Sequence, residues 1–163
     1  MKDDMNPQVE PTPSTQIDPP HPAEDVLDHV GYRLKRAHAA LRSAMDQALR
    51  EHGLTVPQYA CLEVLAARPG LSNAELARAT FVTRQSMNVV LRGLQDAGLL
   101  TRPATVESGR ARPASLTDEG RDRLTAAQEA VYAIEARMIE AIPDERLTAL
   151  LEDFDRLARA LSD

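Results

Sequence analysis

Between residues 83 and 95 the chain runs TRQSMNVVLRGLQ, and Thr83, Arg84, Gln85, Ser86, Asn88 and Arg92 stand there within ten positions. Their chemistry is specific in type. Glutamine and asparagine can bond bidentately to an adenine edge and arginine to guanine, while serine and threonine serve either bases or phosphates. The alternative is a solvated helix face, since any amphipathic helix has a polar side.

The elements around these residues decide between the two. Met87, Val90, Leu91 and Leu94 recur at helical spacing on the opposite face, so the stretch reads as one helix, capped by Thr83 and ended at Ala97 and Gly98. Just upstream, Ser72 and Glu75 form a capping box that starts a short helix over 74–79, with Leu76 and Ala77 facing inward. Residues 80–82 are left as a turn. The polar side chains therefore cluster at the amino end of the second helix of a helix-turn-helix, the end that enters a major groove. Helix amino ends also favour phosphate. Downstream, 99–103 reads as a strand, 106–109 as a turn and 112–116 as the returning strand. Pro103 and Pro113 restrict these to edge pairing, which suits a two-stranded wing. Arg110 near its tip is placed to enter a narrow minor groove, with Arg112 at the start of the returning strand; an exposed loop arginine without a role is the alternative.

Charge is distributed to match. The formal net charge is −6, which by itself argues against a general polyanion binder. From Arg78 to Arg112, however, six arginines (78, 84, 92, 102, 110 and 112) face only Asp96 and Glu107, so this segment carries +4 and the rest of the chain −10.

The remainder of the 163 residues suits one ordinary domain. Aromatic residues make up 3% and tryptophan is absent, so the core must be aliphatic, which favours helices. Residues 1–23 carry six prolines among polar residues and read as a disordered or extended tail. From Ala23 onward, Leu27, Val30, Leu34, Ala37, Leu41, Met45 and Ala48 mark a long amphipathic helix ending near Glu51, with Gly53 as its stop. Tyr32, His38 and Arg42 lie on or beside its stripe and either line a pocket or simply pack. Thr55 and Gln58 form a capping box for a second helix over 56–67, which buries Tyr59, Leu62, Val64 or Leu65, and Cys61. Thr117 caps a fifth helix with Leu124, Ala127, Val131, Ile134 and Met138 on one face. A sixth follows Pro143, with Leu147, Leu150, Leu151, Phe154, Leu157 and Leu161. The stripes at the two ends of the chain exceed what one compact winged helix can cover, and they predict a helical dimer interface built from 24–52 and 118–163, around a winged helix-turn-helix at 55–117.

The pattern resembles the MarR-type transcriptional regulators from about residue 24 to the end. LSNAELARAT corresponds to the first helix of the motif, FVTRQSMNVVLRGLQDAGLL to the recognition helix, and ESGRARPASLTDEG to the wing and its exit. The resemblance implies a mainly α homodimer with two winged helix-turn-helix lobes on a shared helical base, binding double-stranded DNA at a pseudo-palindromic operator and usually repressing. It places Thr83, Arg84, Gln85, Ser86 and Asn88 at major-groove positions and Arg110 at the wing tip. The family usually carries an acid two residues before that arginine; here the position is Ser108, with Glu107 adjacent. Many members release DNA when a small aromatic or carboxylic effector fills a cleft walled by the first, second and fifth helices, which nominates His38, Arg42, Met45 and Tyr59. Two branches fit only in outline. The tryptophan of the urate-responsive branch is missing and its second-helix acid falls on Ala60, and no cysteine stands where the peroxide-sensing branch has one.

Other functions find less support. A lone Cys61 cannot close an intrachain disulfide; it could sense oxidants, but Ala60, Leu62, Glu63 and Val64 around it describe an inert buried thiol. An enzyme is not expected, because there is no Gly-rich phosphate loop, no metal-ligand cluster and no nucleophile–base pair. His21, His29, His38 and His52 are scattered. Nothing calls for a cofactor or a metal. No apolar run suggests a secretion signal or membrane span, which points to the cytoplasm. A winged helix acting through protein contacts alone remains as a contrast to DNA reading.

Overall fold

The computed structural model describes residues 26–101 and 114–162. The proline-rich tail and the wing tip, with Glu107, Ser108, Arg110 and Arg112, lie outside the described residues. The chain divides into two compact units between Ala37 and His38.

In the first unit, a single 3-10 turn, Val26–Asp28, precedes α1 (Val30–Glu51). The sequence predicts one continuous helix here. The difference has a local cause: Arg33 reaches back to donate from Nε to the Leu27 carbonyl at 2.6 Å and pairs with Asp28 at 2.6 Å, which holds the turn as a separate feature. Val26, Leu27, Val30, Tyr32 and Leu34 are exposed in this unit.

The second unit contains the end of α1, then α2 (Val56–Ala67), α3 (Asn73–Ala79), α4 (Arg84–Asp96), β1 (Leu100–Thr101), β2 (Ser115–Leu116), α5 (Asp118–Glu140) and α6 (Asp144–Ala160). The two strands pair antiparallel, Leu100 opposite Leu116 and Thr101 opposite Ser115. α2 is the hub, packing against α3, α4, α5 and β2. Its buried Tyr59, Cys61, Leu62 and Leu65 meet Leu49 of α1, Leu76 and Ala77 of α3, Met87, Leu91 and Leu94 of α4, and Leu124 and Ala127 of α5. Of the two candidates at 64 and 65, Leu65 is buried, while Val64 only flanks the core. α6 buries none of its residues, and Leu151, Phe154, Leu157 and Leu161 stay exposed at this end of the chain. Among the described residues, no helix is long and apolar enough to cross a membrane.

Helix ends are set by local chemistry. The Thr55 backbone N–H donates to Gln58 Oε1 at 2.9 Å and the Ser72 N–H to Glu75 Oε2 at 2.8 Å, closing both expected capping boxes. The Ser72 hydroxyl and N–H hold the Glu75 carboxyl below its usual range. At the carboxyl ends of α1, α3 and α4 the same paired hydrogen bonds recur: Gly53 to Arg50 with Leu54 to Leu49, Phe81 to Arg78 with Val82 to Ala77, and Gly98 to Gln95 with Leu99 to Leu94. This is the Schellman arrangement, whose middle residue must be left-handed and is usually glycine. Gly53 and Gly98 comply at φ 67° and 72°; at the third site Phe81 takes φ 56°.

Candidate nucleic-acid interface

α4 is held by its apolar side and offers the other. Met87, Leu91 and Leu94 are fully buried against α2 and α3. At 100° per residue, Gln85, Val89, Arg92 and Asp96 then fall within a stripe of about 60° on the opposite side. Asp96 stands at the carboxyl end of that stripe, and Gln85, Val89 and Arg92 fill its first two turns. Residues 83–86, 88, 89 and 92 are all exposed. Among the described residues, the side chains of Arg84, Gln85 and Arg92 make no hydrogen bond or ion pair, so their donors and acceptors are available to a partner.

Thr83 and Ser86 have structural work. The Thr83 hydroxyl accepts the Ser86 N–H at 3.1 Å, and the two hydroxyls lie 2.9 Å apart. Capping fixes both at the amino terminus of α4, where the unpaired N–H groups and the helix dipole favour an anion. Asn88 is also engaged: Asn73 Nδ2 donates to its Oδ1 at 2.6 Å, tying the start of α3 to the exposed flank of α4. Six expected residues, Thr83, Arg84, Gln85, Ser86, Asn88 and Arg92, are thus all exposed along α4 and its amino-terminal cap. Arg110 and Arg112 fall outside the described residues.

Three residues at this surface are not singled out by sequence reasoning. Val89 is 68% exposed in the middle of the polar stripe, and Phe81 is 96% exposed in the turn before α4. A helical wheel of α4 reveals the first; the second requires backbone geometry. Asn73 reads in the sequence only as part of a capping segment, and its bond to Asn88, fifteen residues away, has no sequence signal.

The four effector candidates sit in different surroundings among the described residues. His38 and Arg42 line an open groove along α1 of about 710 Å³, with Asp46 and Arg50, and Arg42 Nε donates to Asp46 at 3.0 Å. Met45 packs against the core instead. Tyr59 is buried and donates from its hydroxyl to Glu63 at 2.8 Å; burial, reinforced by that carboxylate, pushes the phenol well above its ordinary pKa. Cys61 is wholly buried in α2. Among the described residues, no group of three or more His, Cys, Asp or Glu could hold a metal ion.

A buried three-helix cluster, a two-helix motif with its second polar face outward and a two-stranded ribbon leading into a long helix define a winged helix-turn-helix protein. The sequence profile of the MarR family matches residues 52–111. The HTH-type transcriptional repressor Rv2887 of Mycobacterium tuberculosis is 47% identical over 133 residues, covering 81% of this chain and 92% of that protein. Crystal structures of the Mycobacterium tuberculosis MarR family protein Rv2887 are similar in fold. Its complex with DNA superposes with a TM-score of 0.62 at 39% identity, covering 83% of this chain and 98% of that one. Its complex with p-aminosalicylic acid gives 0.64 at 42% identity, covering 80% and 98%. The chain belongs to the MarR family of transcriptional regulators.

Proposed function

We propose that this protein is a homodimeric repressor that reads a pseudo-palindromic operator with α4 of each protomer and releases it when a small aromatic or carboxylic effector binds. The observation that carries this is the α4 surface: a helix anchored by Met87, Leu91 and Leu94, with Arg84, Gln85 and Arg92 exposed and unengaged. The similar protein Rv2887 is named a repressor and has been crystallised both with DNA and with p-aminosalicylic acid, which supports the same pairing of activities here. Two-fold assembly is supported by the unburied apolar stripe of α6 and by the exposed Val30 and Leu34 of α1, which a second copy would cover. Thr83 and Ser86 would sit at the groove edge, Arg92 at phosphate, and Arg110 and Arg112 on the wing. For an effector carboxylate, Arg42 on the open groove along α1 would supply the charge and His38 a polar contact, whereas Met45 and Tyr59 pack inward within a single chain. The protein acts by binding, with no catalytic step.

A salt titration tests the DNA surface. Arg92→Ala and Arg110→Ala should each weaken operator binding by about 1–3 kcal/mol. The slope of log affinity against log salt should fall by about 0.9 for each phosphate that is no longer neutralised. Unchanged affinity and slope in both variants would refute the assignment.

A further inference from the structure

The polar stripe of α4 is interrupted at its centre by an aliphatic side chain. Val89 lies one helical turn beyond Gln85 and three residues before Arg92, on the side opposite Met87, Leu91 and Leu94. At 68% exposed it packs against little of its own chain. A β-branched residue there lowers helix propensity without adding core packing, so the folded monomer gives no account of it. A single exposed aliphatic residue on an arbitrary surface needs no explanation. This one occupies the line along which a recognition helix faces a major groove, between Gln85, whose amide matches an adenine edge, and Arg92, placed at phosphate. The major groove presents one apolar feature, the 5-methyl group of thymine.

We propose that Val89 is a specificity-determining residue that packs against a thymine 5-methyl group in each operator half-site, between the bases or phosphates engaged by Gln85 and Arg92. This rests on α4 being the DNA reader. Packing on the methyl removes two small apolar surfaces from water, and its absence from one half-site should weaken binding about fourfold, the worth of one buried carbon group. Absence from both half-sites of a two-fold complex multiplies to more than about tenfold. The same packing predicts which base change the protein resists: cytosine, which lacks the methyl and places an amino donor beside it, is excluded more strongly than uracil.

The test uses the full chain and an operator selected from random duplex DNA. Each thymine of the half-site is replaced in turn by deoxyuridine, symmetrically, which deletes the methyl and leaves the hydrogen-bonding edge intact. Wild-type protein should lose more than about tenfold in affinity at one thymine position. Val89→Ala, which raises helix propensity at an exposed site and so preserves the fold, should bind the thymine operator more weakly and show a smaller deoxyuridine effect at that position alone, because its remaining methyl reaches less of the thymine. Its response at every other thymine should match wild type. If the wild type binds a selected sequence tightly but no deoxyuridine replacement matters, or if Val89→Ala keeps the full methyl effect, the valine packing is wrong while α4 remains the reader. Selection of no sequence at all would overturn both.

Discussion

Replacing Gly120 by alanine sets two effects of opposite sign against each other. Gly120 is the third residue of α5, and in a helix alanine is favoured over glycine by about 1 kcal/mol, so propensity alone predicts a more stable protein. The packing predicts the reverse. A Cβ at Gly120 would stand 2.1 Å from the Leu99 carbonyl oxygen and 3.0 Å from its carbon. These are backbone atoms at a buried residue, and they must retreat by about an ångström to reach an ordinary van der Waals separation. The Leu99 oxygen already accepts the Thr117 N–H at 3.1 Å, and Thr117 bridges the junction by donating to the Gly98 carbonyl at 2.8 Å while accepting the Gly120 N–H at 2.9 Å. Overpacking of this kind costs about 1–3 kcal/mol, and weakening one or two of these hydrogen bonds adds about 1 kcal/mol each. Set against the propensity gain, the net expectation is a loss of about 1–4 kcal/mol. In a protein of this size that lowers Tm by roughly 2–16 °C. Urea or thermal unfolding of Gly120→Ala measures it directly, at matched protein concentration because the unfolding of the proposed dimer would depend on it. A variant as stable as wild type would refute the close approach of α5 to the α4–β1 junction, and with it the way the wing is anchored.

Phe81→Gly should do the opposite: the left-handed backbone at φ 56° is relieved and almost no packing is lost from a 96% exposed ring, so stability rises by about 1 kcal/mol, read from the same unfolding curves. Tyr59 carries a pH signature. Its folded pKa is raised above the unfolded value near 10, so the stabilisation is fully present below about pH 10 and is lost as pH climbs toward the folded value; Tyr59→Phe should flatten that alkaline decline in stability. Because Cys61 is wholly buried among apolar neighbours, peroxide treatment should leave operator affinity unchanged, and a thiol reagent should label it only on unfolding; a drop in DNA binding on oxidation that Cys61→Ser abolishes would reinstate a redox switch.

The parts of the fold governed by neighbouring residues are legible in the sequence. Thr55 with Gln58, Ser72 with Glu75, Thr83 and Thr117 each signal a helix start through a side chain that bonds the backbone three residues on, and each cap is present. Periodicity likewise separates the buried Met87, Leu91 and Leu94 from the outward Gln85 and Arg92, while Arg84, which shares the spacing of Met87 and Leu91, is exposed as the first residue of the helix. What escapes depends on distance or on backbone strain. The Asn73–Asn88 bond joins two helices, the Leu99–Gly120 approach brings a helix onto the strand entry, and Phe81 occupies a conformation that residue type argues against. The effector residues illustrate a further limit. His38, Arg42, Met45 and Tyr59 come from the family resemblance, and within one chain the first two face an open groove while the last two pack inward. Helical spacing says which residues share a face, but the depth of the core along that face depends on what packs there.

The central claim is that two copies of α4 are presented together as readers of DNA. Selection of bound sequences from a random duplex pool by the full-length protein tests it most directly. The expected product is an inverted repeat whose half-site centres lie about one helical turn apart. Recovery of a single unrepeated half-site, or no enrichment above the starting pool, would contradict it.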